Sequence, residues 1–187
     1  MQQITDQALV SRILAHDEHA CAEMIGAHHA VIYRLLFHLC RDQHLAEDLV
    51  QETFASAWAS LEEFRGGSSL STWLHRIAYR KFLDLQRRKS PLVGAVREME
   101  FEQSDDANPD PLAAAMAEEN SAQLYEAVSQ LESDERDVVV LHYFQGLTFV
   151  QIAEVMGVPA GTLRWRNGRG LEILRRLLQK KLEYEIE

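Results

Sequence analysis

The segment "TLRWRNGRG", residues 162–170, holds Arg164, Trp165, Arg166 and Arg169 and no acid, in a chain whose formal net charge is −10. Such a patch suits a polyanion. Guanidinium groups pair with phosphates and with the acceptor edge of guanine, and a threonine hydroxyl such as that of Thr162 can donate to a phosphate. Arg166 and Arg169 are three residues apart and so share a helix face. A second basic cluster spans 76–89, where Arg76, Arg80, Lys81, Arg87, Arg88 and Lys89 face Asp84 alone. The adjoining "FRGGSSLSTWLHRIAYRKF" adds Arg65 to Phe64, Trp73, Tyr79 and Phe82. Aromatic rings stack unpaired bases while arginines follow the backbone. The same rings also serve as core, and for Trp73 the core reading is the stronger.

A third group has the opposite sign. "AEDLVQE" places Glu47, Asp48, Gln51 and Glu52 largely on one side of a helix. These groups either meet a basic partner or form ordinary solvated surface. They are not catalytic candidates, because no His or Ser constellation lies beside them. Cys21 and Cys40 lie in apolar helical patterns and read as reduced, buried thiols. Pairing His38 and Cys40 with His28 or His29 fits no common zinc spacing, so neither a metal nor another cofactor is expected.

Helices must position all three groups. Apolar residues such as Leu9, Ile13, Leu14, Met24, Ile25, Ile32, Leu35 and Leu39 recur at three-to-four spacing through 6–40, with a break expected near Asp17. Leu45, Leu49, Thr53, Trp58 and Leu61 form an apparent inward stripe on the next helix. "GGSSLS" (66–71) is a loop, and Ser71 is the expected cap of a helix starting at Thr72–Trp73. From 120 onward come two helices broken near Ser133, then "TFVQIAEVMG", a short turn and a basic helix. That order is a helix-turn-helix, with Thr148 capping its first helix. An ordinary αα-hairpin is the rival reading. Between the two halves, residues 91–120 hold one arginine and eight acids and show no periodicity, which reads as a flexible linker. The expected fold is therefore all-α: two small helical domains, 1–90 and 120–187, joined by an acidic linker at 91–119. No apolar run approaches membrane-spanning length, and the N-terminus has no basic-then-apolar leader. The expected address is the cytoplasm.

Two of these stretches resemble one family. "HLAEDLVQETFASAWASLEEFRGGSSLSTWLHRIAYRKFLDLQRR" is similar to region 2 of bacterial extracytoplasmic-function (ECF) sigma factors, and "LESDERDVVVLHYFQGLTFVQIAEVMGVPAGTLRWRNGRGLEILRRLL" resembles their region 4. The resemblance implies a non-enzymatic partner of core RNA polymerase, monomeric when bound, that directs it to promoter DNA. Glu47, Asp48, Gln51 and Glu52 would dock on the β′ clamp, and the region 4 domain would meet the β flap. Arg65, Ser69, Trp73, Arg76, Arg80, Lys81, Arg87 and Arg88 would hold the melted −10 element. Thr148, Thr162, Arg164, Trp165, Arg166 and Arg169 would serve the −35 element. An anti-sigma factor is implied as inhibitor. A stand-alone helix-turn-helix regulator and a sigma-like decoy that never initiates are the alternatives.

The chain departs from the family pattern at several positions. Leu45 stands where an aspartate is usual, and Arg80 where an asparagine is usual. Trp165 replaces a small polar residue, Asn167 replaces a leucine, and Gly168 is unusual. Asn and Gly inside a helix weaken it by about 1–2 kcal/mol. Either the helix persists and Trp165 with Asn167 alters −35 readout, or it breaks at 167–168.

Overall fold

A computed structural model describes residues 2–89 and 121–184, and these are helices joined by short turns, with no strand among the described residues. The chain divides into two compact units. The expected linker, 91–119, lies outside the described residues.

The N-terminal unit runs α1 (Gln2–Leu14), α2 (Glu18–Cys40), α3 (Gln43–Ala59), a 3-10 turn (Leu61–Glu63) and α4 (Leu70–Lys89). The break expected near Asp17 is there, because Asp17 caps α2 by accepting from the backbone N–H groups of His19 (2.9 Å) and Ala20 (3.2 Å). Asp42 caps α3 in the same way, accepting from Leu45 N–H at 3.0 Å. Helices α2, α3 and α4 pack on one another, and α1 packs on α2. Met24, Ile32, Leu35, Leu36, Leu49, Leu61, Leu70, Leu74 and Phe82 fill the core.

Three residues of the expected apolar stripes face outward. Leu14, Ile25 and Trp58 are exposed, Trp58 at 48 %. A helix turns about 100° per residue, so Trp58 lies roughly 180° around α3 from Leu49, and Ala57 takes the buried place. The cap of α4 also differs from expectation. Ser69, not Ser71, accepts from Thr72 N–H (3.1 Å), and the helix starts at Leu70.

The C-terminal unit runs α5 (Ser121–Ser129), α6 (Ser133–Val139), a π-helical turn (Val140–Phe144), α7 (Phe149–Met156) and α8 (Ala160–Tyr184). Gly146 turns the chain at φ +67°. Thr148 then starts α7 with a capping box shared with Gln151. Gly157 (φ +70°) closes α7, donating its N–H to Ala153 O at 2.9 Å. Helix α8 is continuous through Asn167 and Gly168 and does not break there. Its buried stripe is Leu163, Asn167, Gly170 and Leu174, at i, i+4, i+7 and i+11. That stripe packs chiefly on α6, with α5 also against α8.

Candidate nucleic-acid and polymerase interfaces

In the C-terminal unit, only part of the basic patch on α8 points outward. Arg164 is exposed, with its guanidinium 5.8 Å from the centre of the Phe149 ring on α7. Phe149 is itself stacked on His142 at 4.4 Å. Thr162 and Trp165 are half-buried near the N-terminus of α8. Arg166 is largely covered and turns toward α6, while Arg169 reaches α6 with its side chain still 47 % exposed. Arg166 Nη2 lies 2.6 Å from Asp134 Oδ2, and Arg169 Nε lies 3.1 Å from Glu135 Oε1. The Glu135 carboxylate is buried at 2 % exposure, so its charge needs Arg169. Arg169 also covers the Trp165 ring at 5.6 Å.

The shared face read from the spacing of Arg166 and Arg169 therefore exists, but its acids sit on the same unit. These two side chains fix the basic helix against α6. Thr148 is committed to its cap: its backbone N–H donates to Gln151 Oε1 (2.9 Å), and its hydroxyl accepts from Gln151 N–H (3.3 Å). Asn167 does not face DNA as expected. It faces inward at 8 % exposure, donating from Nδ2 to the Tyr143 hydroxyl at 3.3 Å, so it offers no base-reading edge.

In the N-terminal unit the basic residues fall along α4 and the loop before it. Arg65, Arg80, Arg87 and Arg88 are exposed, and Arg76 is half-buried. Arg76, Arg80 and Arg87 recur at i, i+4 and i+11, on one face. Arg87 pairs with Asp84 at 3.3 Å on that exposed surface. Trp73 is 6 % exposed, its ring edge-on to Phe64 at 5.6 Å, so it packs the unit and offers no free stacking face. Ser69 spends its hydroxyl on the α4 cap and on Thr72 Oγ1 (2.9 Å).

Helix α3 presents Glu47, Asp48, Gln51 and Glu52, all exposed. Gln43 donates to Glu47 at 3.0 Å, and Lys81 of α4 reaches Glu52 at 3.5 Å. The exposed Trp58 lies seven residues beyond Gln51, on the same face. The half-buried Phe54 stacks on His29 of α2 at 6.1 Å. Sequence spacing counted Trp58 as core and so missed an aromatic on the acidic face. Among the described residues no cluster of His, Cys, Asp or Glu is arranged to hold a metal ion. Cys21 and Cys40 form no disulfide, and both are half-buried rather than buried as expected. No helix of the described residues is long and apolar enough to cross a membrane.

Comparison with known proteins converges on one family. The family models for sigma-70 region 2 and sigma-70 region 4 match residues 24–91 and 121–174. The RNA polymerase sigma-H factor of Pseudomonas aeruginosa is 33 % identical over 97 % of this chain and 98 % of its own length. The ECF RNA polymerase sigma-E factor of Escherichia coli is 31 % identical over 92 % of this chain and 94 % of its own. Among solved structures, CnrH in complex with the cytosolic domain of CnrY superposes with a TM-score of 0.69 at 23 % identity, covering 94 % of this chain and 97 % of that one. With both regions in order and relatives matched along almost the whole length, the chain belongs to the ECF sigma factors of bacterial RNA polymerase.

Proposed function

We propose that this sigma factor divides promoter recognition between two surfaces of modest strength, each effective once core polymerase carries the chain. The acidic face of α3 docks on the β′ clamp through Glu47, Asp48, Gln51 and Glu52, with Trp58 as an apolar anchor beside them. Arg65, Arg76, Arg80, Lys81, Arg87 and Arg88 hold the single-stranded −10 element. The first turns of α8 enter the major groove of the −35 element, where Thr162, Arg164 and Trp165 touch DNA and Arg166 and Arg169 keep the helix in register. The segment 91–119 joins the two domains, 1–90 and 120–187. The protein acts in the cytoplasm, catalyses nothing itself and needs no cofactor.

One observation carries this reading. Within a single compact unit, adjacent helices expose opposite charges, acids on α3 and arginines on α4. A basic protein partner and a polyanion would each find its own face. The net charge of −10 supports the same view, since phosphate neutralisation supplies most non-specific DNA affinity and this chain supplies little alone. Two structural neighbours were solved with a bound partner, CnrH with the cytosolic domain of CnrY and the sigma factor RpoE of Bartonella quintana with the anti-sigma factor NepR. An inhibitor of that kind is proposed here too.

The test is charge reversal on α3. Glu47→Lys combined with Asp48→Lys lowers the affinity for core polymerase by about tenfold or more, with the helical signal of the free protein unchanged. Core affinity within twofold of the parent would remove the docking assignment.

A further inference from the structure

Helix α1 lies N-terminal to the segment matched by the region 2 model, which begins at residue 24, yet it reaches the loop that leads into α4. Asp6 is buried at 7 % exposure, and its Oδ2 accepts from Leu70 N–H at 2.8 Å, across 64 residues of chain. Leu70 is the first residue of α4. The first N–H groups of a helix have no partner within it, and a carboxylate there is further favoured by the helix dipole. Ser69 satisfies Thr72 N–H, and Asp6 satisfies Leu70 N–H. Next to Asp6, Gln7 donates from Nε2 to the Arg65 carbonyl at 3.4 Å. Gly66 has φ +70°, and a Cβ there would collide with the Gln7 amide. Phe64, at the start of the loop, is fixed edge-on against Trp73. Helix α1 is itself tied to α2 through Arg12, which pairs with Asp17 at 2.8 Å and Glu23 at 3.1 Å.

We propose that α1 is a brace for the loop 65–69, and that Asp6 is a positioning residue for capture of the melted −10 strand. The proposal rests on the reading that this loop and α4 hold that strand. The loop is held at its start by Phe64 and Gln7 and at its end by Asp6, while Arg65 and Gly67 between them stay exposed. A segment fixed before binding loses less conformational freedom when the ligand arrives, so the brace raises affinity without touching DNA.

The test uses holoenzyme and a fluorescein-labelled single-stranded oligonucleotide. The oligonucleotide carries the non-template −10 sequence of the promoter at which the parent protein initiates most strongly. Asp6→Ala weakens binding by about five- to tenfold, the scale of one charge-assisted hydrogen bond, and Asp6→Asn, which keeps an acceptor oxygen, recovers most of it. Affinity for core and for −35 duplex stays within twofold. Oligonucleotide affinity unchanged by Asp6→Ala overturns the brace, and so does an equal loss of core affinity, which would mark a general scaffold residue. If Asp6→Ala does not fold, Gln7→Ala at an exposed position decides: a loss of about two- to threefold supports the brace, and none overturns it. Arg65→Ala and Arg80→Ala run alongside. If these keep full oligonucleotide affinity, the site reading falls and takes the brace with it. If they lose affinity while Asp6→Ala does not, the brace alone falls.

Discussion

Gly168 and Gly170, two to three turns into α8, differ sharply in their surroundings, and a matched pair of alanine substitutions exploits this. A Cβ at Gly168 meets nothing within 4 Å, and the residue is exposed. Glycine in a helix interior is about 1 kcal/mol worse than alanine, so Gly168→Ala stabilises the C-terminal unit by about that amount. A Cβ at Gly170 falls 3.3 Å from both Glu135 Cβ and Val139 Cγ2 on α6. Val139 is fully buried, and Glu135 is held by Arg169, so neither neighbour yields easily. Overpacking costs about 1–3 kcal/mol, which exceeds the propensity gain and leaves Gly170→Ala destabilising by about 1 kcal/mol. In a unit of this size, each 1 kcal/mol is roughly 4–8 °C in Tm. Urea unfolding of the full chain, followed by backbone amide NMR of residues 124–179, separates this unit from the other. A loss of stability in Gly168→Ala would refute a helix continuous through that residue. A gain in Gly170→Ala equal to that in Gly168→Ala would refute the close approach of α6 and α8.

Four further substitutions test the same structure. Asn167→Leu stabilises the unit by about 1 kcal/mol, because the buried Asn167 Oδ1 has no hydrogen-bond partner among the described residues; −35 affinity of the holoenzyme stays within twofold, and a larger loss would return Asn167 to the DNA. Arg169→Ala costs about 2–4 kcal/mol in urea unfolding by stranding the buried Glu135 carboxylate. Arg164→Ala leaves stability within about 0.5 kcal/mol and weakens −35 binding instead. Finally, burial, with Arg41 and Arg34 nearby, lowers the His38 pKa from 6.5 to about 4. The unfolded chain then binds a proton that the folded chain refuses, so stability falls as pH drops from about 6.5 toward 4. The loss is about 1–2 kcal/mol after allowing for the ring's partial exposure, and His38→Gln flattens it in denaturant melts at pH 7 and pH 5.

Much of the fold is legible in the sequence because its signals are local. Asp17, Thr148 with Gln151, Gly146 and Gly157 act on backbone groups within a few residues, and each sits where its type demands. The helix-turn-helix and the acid-then-base order of α3 and α4 are equally local. The features that escape a reading along the chain are set by distant partners. Asp6 caps a helix that starts 64 residues later. Asp134 and Glu135 lie about 30 residues before the arginines they hold, so spacing alone assigns those arginines to DNA. Asn167 looks like a reading residue by type, but Leu163, Gly170 and Leu174 place it on the buried stripe. Trp58 went astray by a single position, with Ala57 beside it taking the core site.

Run-off transcription with purified core polymerase and a pool of genomic promoter fragments bears most directly on the central claim. Addition of this protein to core is expected to yield transcripts from a small set of discrete start sites that neither component produces alone. Loss of transcription by another sigma factor, with no new start site appearing, would mark a decoy and contradict the account.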